Sequence, residues 1–93
     1  MNKEYNFVLV SDFTGETLDR IFLAIKAHFR NIKYSLHHFS FIRTGAQTAQ
    51  LMNKCKKVKD PIIIYTLVEP ATSNFIINES KALNIPCFGV LDH

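Results

Sequence analysis

The sequence predicts an α/β fold, and three observations carry that expectation. Four short apolar runs alternate with three stretches of helical periodicity, the pattern of βαβ units joined into a parallel sheet. The first and third runs are apolar on both faces and belong in the middle of the sheet, whereas the second mixes polar and apolar residues and belongs at an edge. Right-handed crossovers then favour the strand order 2-1-3-4, a three-layer, flavodoxin-like arrangement of a four-stranded parallel sheet and three helices. Ninety-three residues, 47% hydrophobic and including eight phenylalanines, suit a single domain with one core. No repeat, low-complexity tract or linker divides residues 1–93.

Strand one is the run Tyr5–Val10, followed by the polar turn Ser11-Asp12-Phe13-Thr14-Gly15-Glu16-Thr17. Helix one is expected from about Gly15 to Phe29, because Leu18, Ile21, Phe22, Ile25 and Phe29 recur at three- and four-residue spacing and leave Asp19, Arg20 and Lys26 outside. Strand two is Tyr34–Phe41. Helix two opens at Thr44, with Gln47 three residues on completing the pattern of a capping box, and Leu51, Cys55 and Val58 mark its thin buried stripe. Strand three is Pro61–Val68. Helix three begins near Pro70, whose missing N–H costs nothing in a first turn, and ends before Asn84 and Pro86. Phe75, Ile76 and Leu83 are expected to face the sheet. Strand four is Cys87–Leu91, and no helical pattern follows it to cover that side. An uncovered edge invites pairing, so the expectation is either that the native protein continues past His93 or that a homodimer completes the sheet.

Open α/β sheets hold ligands outside the carboxyl ends of their strands, at the point where the strand order reverses. In the order 2-1-3-4 that point lies between strands one and three. The turns Ser11–Thr17 and Thr66–Pro70 flank it, and Arg43 and Thr44 approach from the turn after strand two. The candidate ligand-binding or recognition residues are therefore Ser11, Asp12, Thr14, Gly15, Glu16, Thr17, Arg43, Thr44 and Thr66. Thr14 is placed to cap helix one, and Gly15 would let a ligand approach the exposed backbone N–H groups. Phosphate suits such a turn, but Asp12 and Glu16 would repel it unless a metal ion or Arg43 offset their charge. The alternative role for both carboxylates is to stabilise the helix start, at ~0.3–1 kcal/mol each. Arg43 is placed to fork onto a phosphate or carboxylate, or to pair with Glu16 or Glu69 at the surface.

Other chemistries find less support. The sequence contains no Gly-x-x-x-x-Gly-Lys-Ser/Thr segment, no GxGxxG and no HExxH, so no catalytic residue and no bound cofactor is assigned to the chain. Cys55 and Cys87 lack a pairing or metal-type spacing and read as buried free thiols. His37 and His38 are adjacent on a strand and point to opposite faces, so they cannot chelate one ion; His28 is expected at the surface. The net charge of +3 owes much to Lys54, Lys56, Lys57 and Lys59, which close helix two without interleaved aromatics, a poor match to a nucleic-acid surface. No apolar stretch reaches the ~18 residues of a spanning helix, and the expected location is cytoplasmic, without membrane contact.

Five blocks in order, Val8-Leu9-Val10-Ser11-Asp12, Thr14-Gly15-Glu16-Thr17, Phe41-Ile42-Arg43-Thr44, Tyr65-Thr66-Leu67-Val68 and Ile85-Pro86-Cys87, resemble the amino-terminal region of the pyruvate, phosphate dikinase and phosphoenolpyruvate synthase regulatory proteins. The resemblance spans nearly the whole chain. It implies a bifunctional serine/threonine kinase and phosphorylase that uses ADP to phosphorylate a threonine of the dikinase or synthase, and inorganic phosphate to remove that group, releasing pyrophosphate. The family's nucleotide-binding P-loop lies in a carboxyl-terminal portion. The resemblance therefore implies an amino-terminal domain that is not catalytic by itself, with ADP and phosphate serving the full-length protein. Phe13 stands where the family usually has a small hydroxyl residue, and Glu69 where aspartate is common. The alternative reading is a stand-alone flavodoxin-like module that binds an anionic ligand or a protein partner.

Overall fold

Successive side chains of a strand point to opposite faces, so a strand apolar at every position must be covered on both sides. Residues 4–12, 16–28 and 33–90 of the chain are described in a computed structural model, and they show this arrangement. The order is β1 (Glu4–Ser11), α1 (Glu16–His28), β2 (Lys33–Phe39), α2 (Gly45–Cys55), β3 (Pro61–Thr66), α3 (Pro70–Ala82) and β4 (Cys87–Gly89). All pairings are parallel, in the order β2-β1-β3-β4 that the sequence predicts. Val8, Val10 and Ile63 form one cluster with Leu51, Met52 and Cys55 of α2 and Ile76 of α3. Leu9 and Ile64 point the other way and meet Leu18 and Phe22 of α1. The sheet is thus the middle of three layers.

Helix α2 begins where its capping box predicts. Thr44 Oγ1 accepts from the Gln47 N–H at 3.1 Å, and Gln47 Oε1 accepts from the N–H groups of Thr44 at 3.1 Å and Arg43 at 2.7 Å. Its buried face is wider than the expected stripe of Leu51, Cys55 and Val58. Thr48 and Met52 are buried with Leu51 and Cys55, while Val58 lies past the helix end and is half-buried. Thr48 fits there because its hydroxyl donates to Thr44 O, 2.8 Å away, and needs no other partner.

Three expectations need correction. Strand two was expected to reach Phe41, but β2 stops at Phe39 because Phe41 adopts a left-handed φ of 58°, and the next residue leaves for β1, Ile42 N–H donating to Ser11 O at 2.9 Å. Strand three was expected to reach Val68, but β3 stops at Thr66. The Val68 N–H has left the ladder for a side chain, and Val68 is 79% exposed. Phe75 was expected to face the sheet, yet it is exposed: Thr72, Ile76 and Ser80, four apart, form the buried row of α3, and a residue adjacent to Ile76 lies about 100° round the helix. Leu83 does pack against the core. The predicted end of strand four at Leu91 lies outside the described residues, and the described strand ends at Gly89.

Gly89 has a packing role. A Cβ there would stand 2.6 Å from Tyr65 Oη, so only glycine lets that ring lie across β4. Burial pushes the Cys55 thiol up to about 11, with Cys87 adding to the effect, and pushes Cys87 itself up against the opposing influence of the Ser80 hydroxyl. Both cysteines are free thiols; Cys55 is buried and Cys87 half-buried. His37 approaches Asn6 Oδ1 at 3.3 Å on one face of the sheet, and His38 meets Asp19 of α1 at 3.5 Å on the other. His28 and the four lysines at positions 54, 56, 57 and 59 are exposed. No helix among the described residues is long and apolar enough to cross a membrane.

Candidate functional site

Register places Ser11 beside Thr66 at the last step of the β1–β3 ladder, so the two central strands end together. Beyond that step the chain divides. β1 hands on to α1, and β3 to α3, whose helices lie on opposite faces of the sheet. The reversal of strand order from which a crevice is expected lies here.

Asp12 is the residue that joins the turns around it. One carboxylate oxygen, Oδ2, accepts from the Val68 N–H in the β3–α3 turn at 3.1 Å. Its carbonyl accepts from Arg43 Nε in the β2–α2 turn at 2.9 Å. Three turns that are 31 and 56 residues apart in sequence are therefore tied at one position. Arg43 is further held by its neighbour, its guanidinium carbon lying 5.4 Å from the centroid of the Phe41 ring. Neither of the anticipated surface partners, Glu16 or Glu69, is the group that receives Arg43 Nε. The left-handed turn at Phe41 brings this about, because it carries Ile42 into the core and turns Arg43 back over the end of β1.

The remaining candidates divide into two groups. Ser11 is buried, Thr66 and Thr17 are half-buried, and Thr44 is exposed and spends its hydroxyl on the α2 cap. Glu16 opens α1 and is exposed, with Asp19 one turn on, an arrangement that favours the helix dipole. Thr14 and Gly15, together with Phe13, lie outside the described residues. Glu69 occupies the N-cap of α3 without capping it through its side chain. The sequence reading did not single out the Val68 N–H or Phe41. No sequence signal marks a backbone N–H as a partner, and a phenylalanine gives no sign that it will take φ > 0. Among the described residues no group of three or more histidines, cysteines, aspartates or glutamates is arranged to hold a metal ion.

Chemically, the strand ends bring the Asp12 carboxylate and the Arg43 guanidinium near the hydroxyls of Ser11 and Thr66, while Glu16 and Glu69 stand at the starts of α1 and α3. The balance of charge does not suit a bare phosphate. It suits a surface that offers hydrogen-bond donors, and Arg43 gives it a single anion-directed group.

A parallel α/β sheet of order 2-1-3-4 with helices on both faces defines the general class. Residues 7–93 match the kinase/pyrophosphorylase family, and the chain belongs to it. Similar proteins named as regulators of pyruvate, phosphate dikinase include one from Pelagibacter ubique, 47% identical over 98% of this chain and 33% of the relative. Another, from Ehrlichia chaffeensis, is 31% identical over 95% of the chain and 32% of the relative. A third, from Agrobacterium fabrum, is 32% identical over the same shares. The chain spans about a third of the length of the relatives it matches.

Proposed function

We propose that this chain is the α/β portion of a regulator of pyruvate, phosphate dikinase or phosphoenolpyruvate synthase. The activity is the pair of reactions implied by its family: phosphoryl transfer from ADP to a threonine of the target, and removal of that phosphoryl group by inorganic phosphate with release of pyrophosphate. The observation that carries the reading is the family match over residues 7–93, supported by the names of the relatives. Within it, the chemistry is divided. Phosphoryl transfer needs several amides and cations around the phosphates, and this sequence contains no glycine-rich loop with a lysine to supply them. The crevice tied by Asp12 takes the recognition role, with Arg43 and Thr66 at its walls.

Competition tests the division. Dikinase is incubated with labelled ADP and the full-length Pelagibacter ubique relative, and residues 1–93 are added in increasing amounts. The expected result is falling incorporation of label as the chain occupies the target, weakened by Asp12→Ala and by Arg43→Ala. Label transferred by residues 1–93 alone would overturn the division of labour, and an absence of competition would overturn the recognition role.

Arg43 favours a second reading, a module for a small anionic ligand. Calorimetric titration with phosphate, pyrophosphate and ADP addresses it: heat with one of them, abolished by Arg43→Ala, supports this reading, and no heat with any removes it.

A further inference from the structure

Among the described residues, the face of the sheet that carries α1 is only half covered. Phe22 of α1 packs on Phe7 of β1 and Tyr34 of β2, with ring centroids 5.0 and 5.3 Å away, and Lys26 lies 5.4 Å from the Tyr34 centroid. The helix therefore lies along β1, with Phe22 reaching Tyr34 of β2 and meeting Ile64 of β3. Beside it, from the start of β1 across to β4, runs a groove of about 460 Å³ lined by Tyr5, Phe7, Ile25, Ile62, Ile64, Phe88 and Val90. Phe88 is 57% exposed. Four strands spaced by about 4.8 Å make a face about 19 Å across, close to two helices of about 10 Å, and among the described residues this face has one. The opposite face, with α2 and α3, has both.

We propose that this groove seats an amphipathic helix from the part of a family polypeptide that lies outside the matched third. Three observations identify the occupant. The groove's lining side chains are aliphatic and aromatic, which selects an apolar stripe. The opposite face of the same strands holds two helices, α2 and α3, so a second helix matches the size of this one. The relatives carry roughly two thirds of their length outside the match, ample to supply it. Handedness narrows the choice further. A right-handed connection that leaves β4 for a new parallel strand outside it repeats the β3–α3–β4 step, and its helix falls beside α3 on the other face. The occupant is consequently not the next crossover helix. It is an element that returns across the sheet, and it would fix this domain against the remainder of the protein independently of the crevice.

Two measurements test the assignment. In the first, 1-anilinonaphthalene-8-sulfonate is titrated into residues 1–93 and into the intact Pelagibacter ubique relative. The dye is expected to bind the short chain, to bind its Phe88→Asp variant about tenfold more weakly, and to leave the relative dark because its groove is filled. Equal binding to both proteins would overturn the proposal. In the second, residues 1–93 replace the matched third of that relative, and amide exchange is compared with the isolated chain. Amides at 62–64 and 87–90 are expected to slow by about tenfold or more in the chimera while those of α2 stay unchanged, and Phe88→Asp is expected to reverse the gain. Unchanged exchange at 62–64 and 87–90 would overturn the proposal. So would protection of the isolated chain that rises with its concentration, which identifies a second copy as the occupant, or a small apolar molecule retained in native mass spectrometry.

Discussion

The two faces of the sheet use the same strands and reach different ends. On the α2/α3 face, Val8, Val10, Ile42, Leu51, Met52, Cys55, Ile63 and Ile76 are buried together, and Phe39, Tyr65, Leu83 and Ile85 close the margins. On the α1 face only Leu9, Leu18, Phe22 and Ile64 form the buried cluster among the described residues, and a groove remains beside them. The difference is one of helix number among the described residues, since the central strands β1 and β3 carry apolar residues to both sides. It teaches that strand composition reports how a face is to be covered, not which segment covers it.

The largest expected effect lies on the closed face. Ile76 is fully buried there, and Ile76→Ala removes three carbons and leaves a cavity that its neighbours fill only in part. The expected loss is about 2–5 kcal/mol in urea unfolding of the chain. A loss below about 1 kcal/mol would mean that the α2/α3 face is no better packed than the groove.

Alkaline pH sharpens the same contrast, because the raised thiols belong to the closed face alone. Cys55 ionises near 9.0 in an unfolded chain and at about 11 in the fold, where burial and its neighbour Cys87 hold the proton on. The folded state therefore binds more protons than the unfolded state between those values. The stabilisation is fully present below pH 9 and is lost as pH rises through 11, by about 2–3 kcal/mol. Unfolding free energies measured from pH 7 to 11 are expected to fall in that window, and to fall less steeply in Cys55→Ala, where Cys87 and Tyr65 are still raised. A wild-type curve level across the window would show that the thiol is not buried as described.

Asp12 stands at the end of the sheet where both faces meet, and its replacement is expected to cost less. Asp12→Ala removes the acceptor for the Val68 N–H but keeps the carbonyl that receives Arg43. The side chain is partly exposed, so the expected loss is about 1 kcal/mol, close to that of an ordinary hydrogen bond. Amide exchange at Val68 is the more telling measurement, since it is expected to accelerate while that of Ile42 is unchanged.

How much of this was legible in the sequence follows from where each interaction lies. The strands and their order were readable because a run such as Ile62-Ile63-Ile64 has no polar face. The α2 start was readable because Thr44 and Gln47 bond to backbone only three residues away. Phe75 misled because hydrophobicity does not distinguish two adjacent helical positions. In the crevice, Ser11, Asp12, Arg43 and Thr66 were located by topology, yet what Asp12 does there was not. Its partners are a backbone N–H 56 residues on and a side chain that reaches its carbonyl only because Phe41 turns left-handed. Composition records neither.

The smallest expected effect falls in the groove and completes the contrast with Ile76. Phe88 is the larger residue, and in a closed face its loss would match or exceed that of an isoleucine. At 57% exposure it has withdrawn less than half of its surface from water, whereas full burial of a phenylalanine stabilises by about 1.5–3 kcal/mol. Phe88→Ala is therefore expected to lower the stability of residues 1–93 by under about 1 kcal/mol. Placed in a longer family polypeptide, the same substitution meets a covered groove and is expected to cost several-fold more. Equal losses in the two settings would show that the face is as open in the whole protein as it is here, and would remove the difference in helix number as the explanation for the two faces.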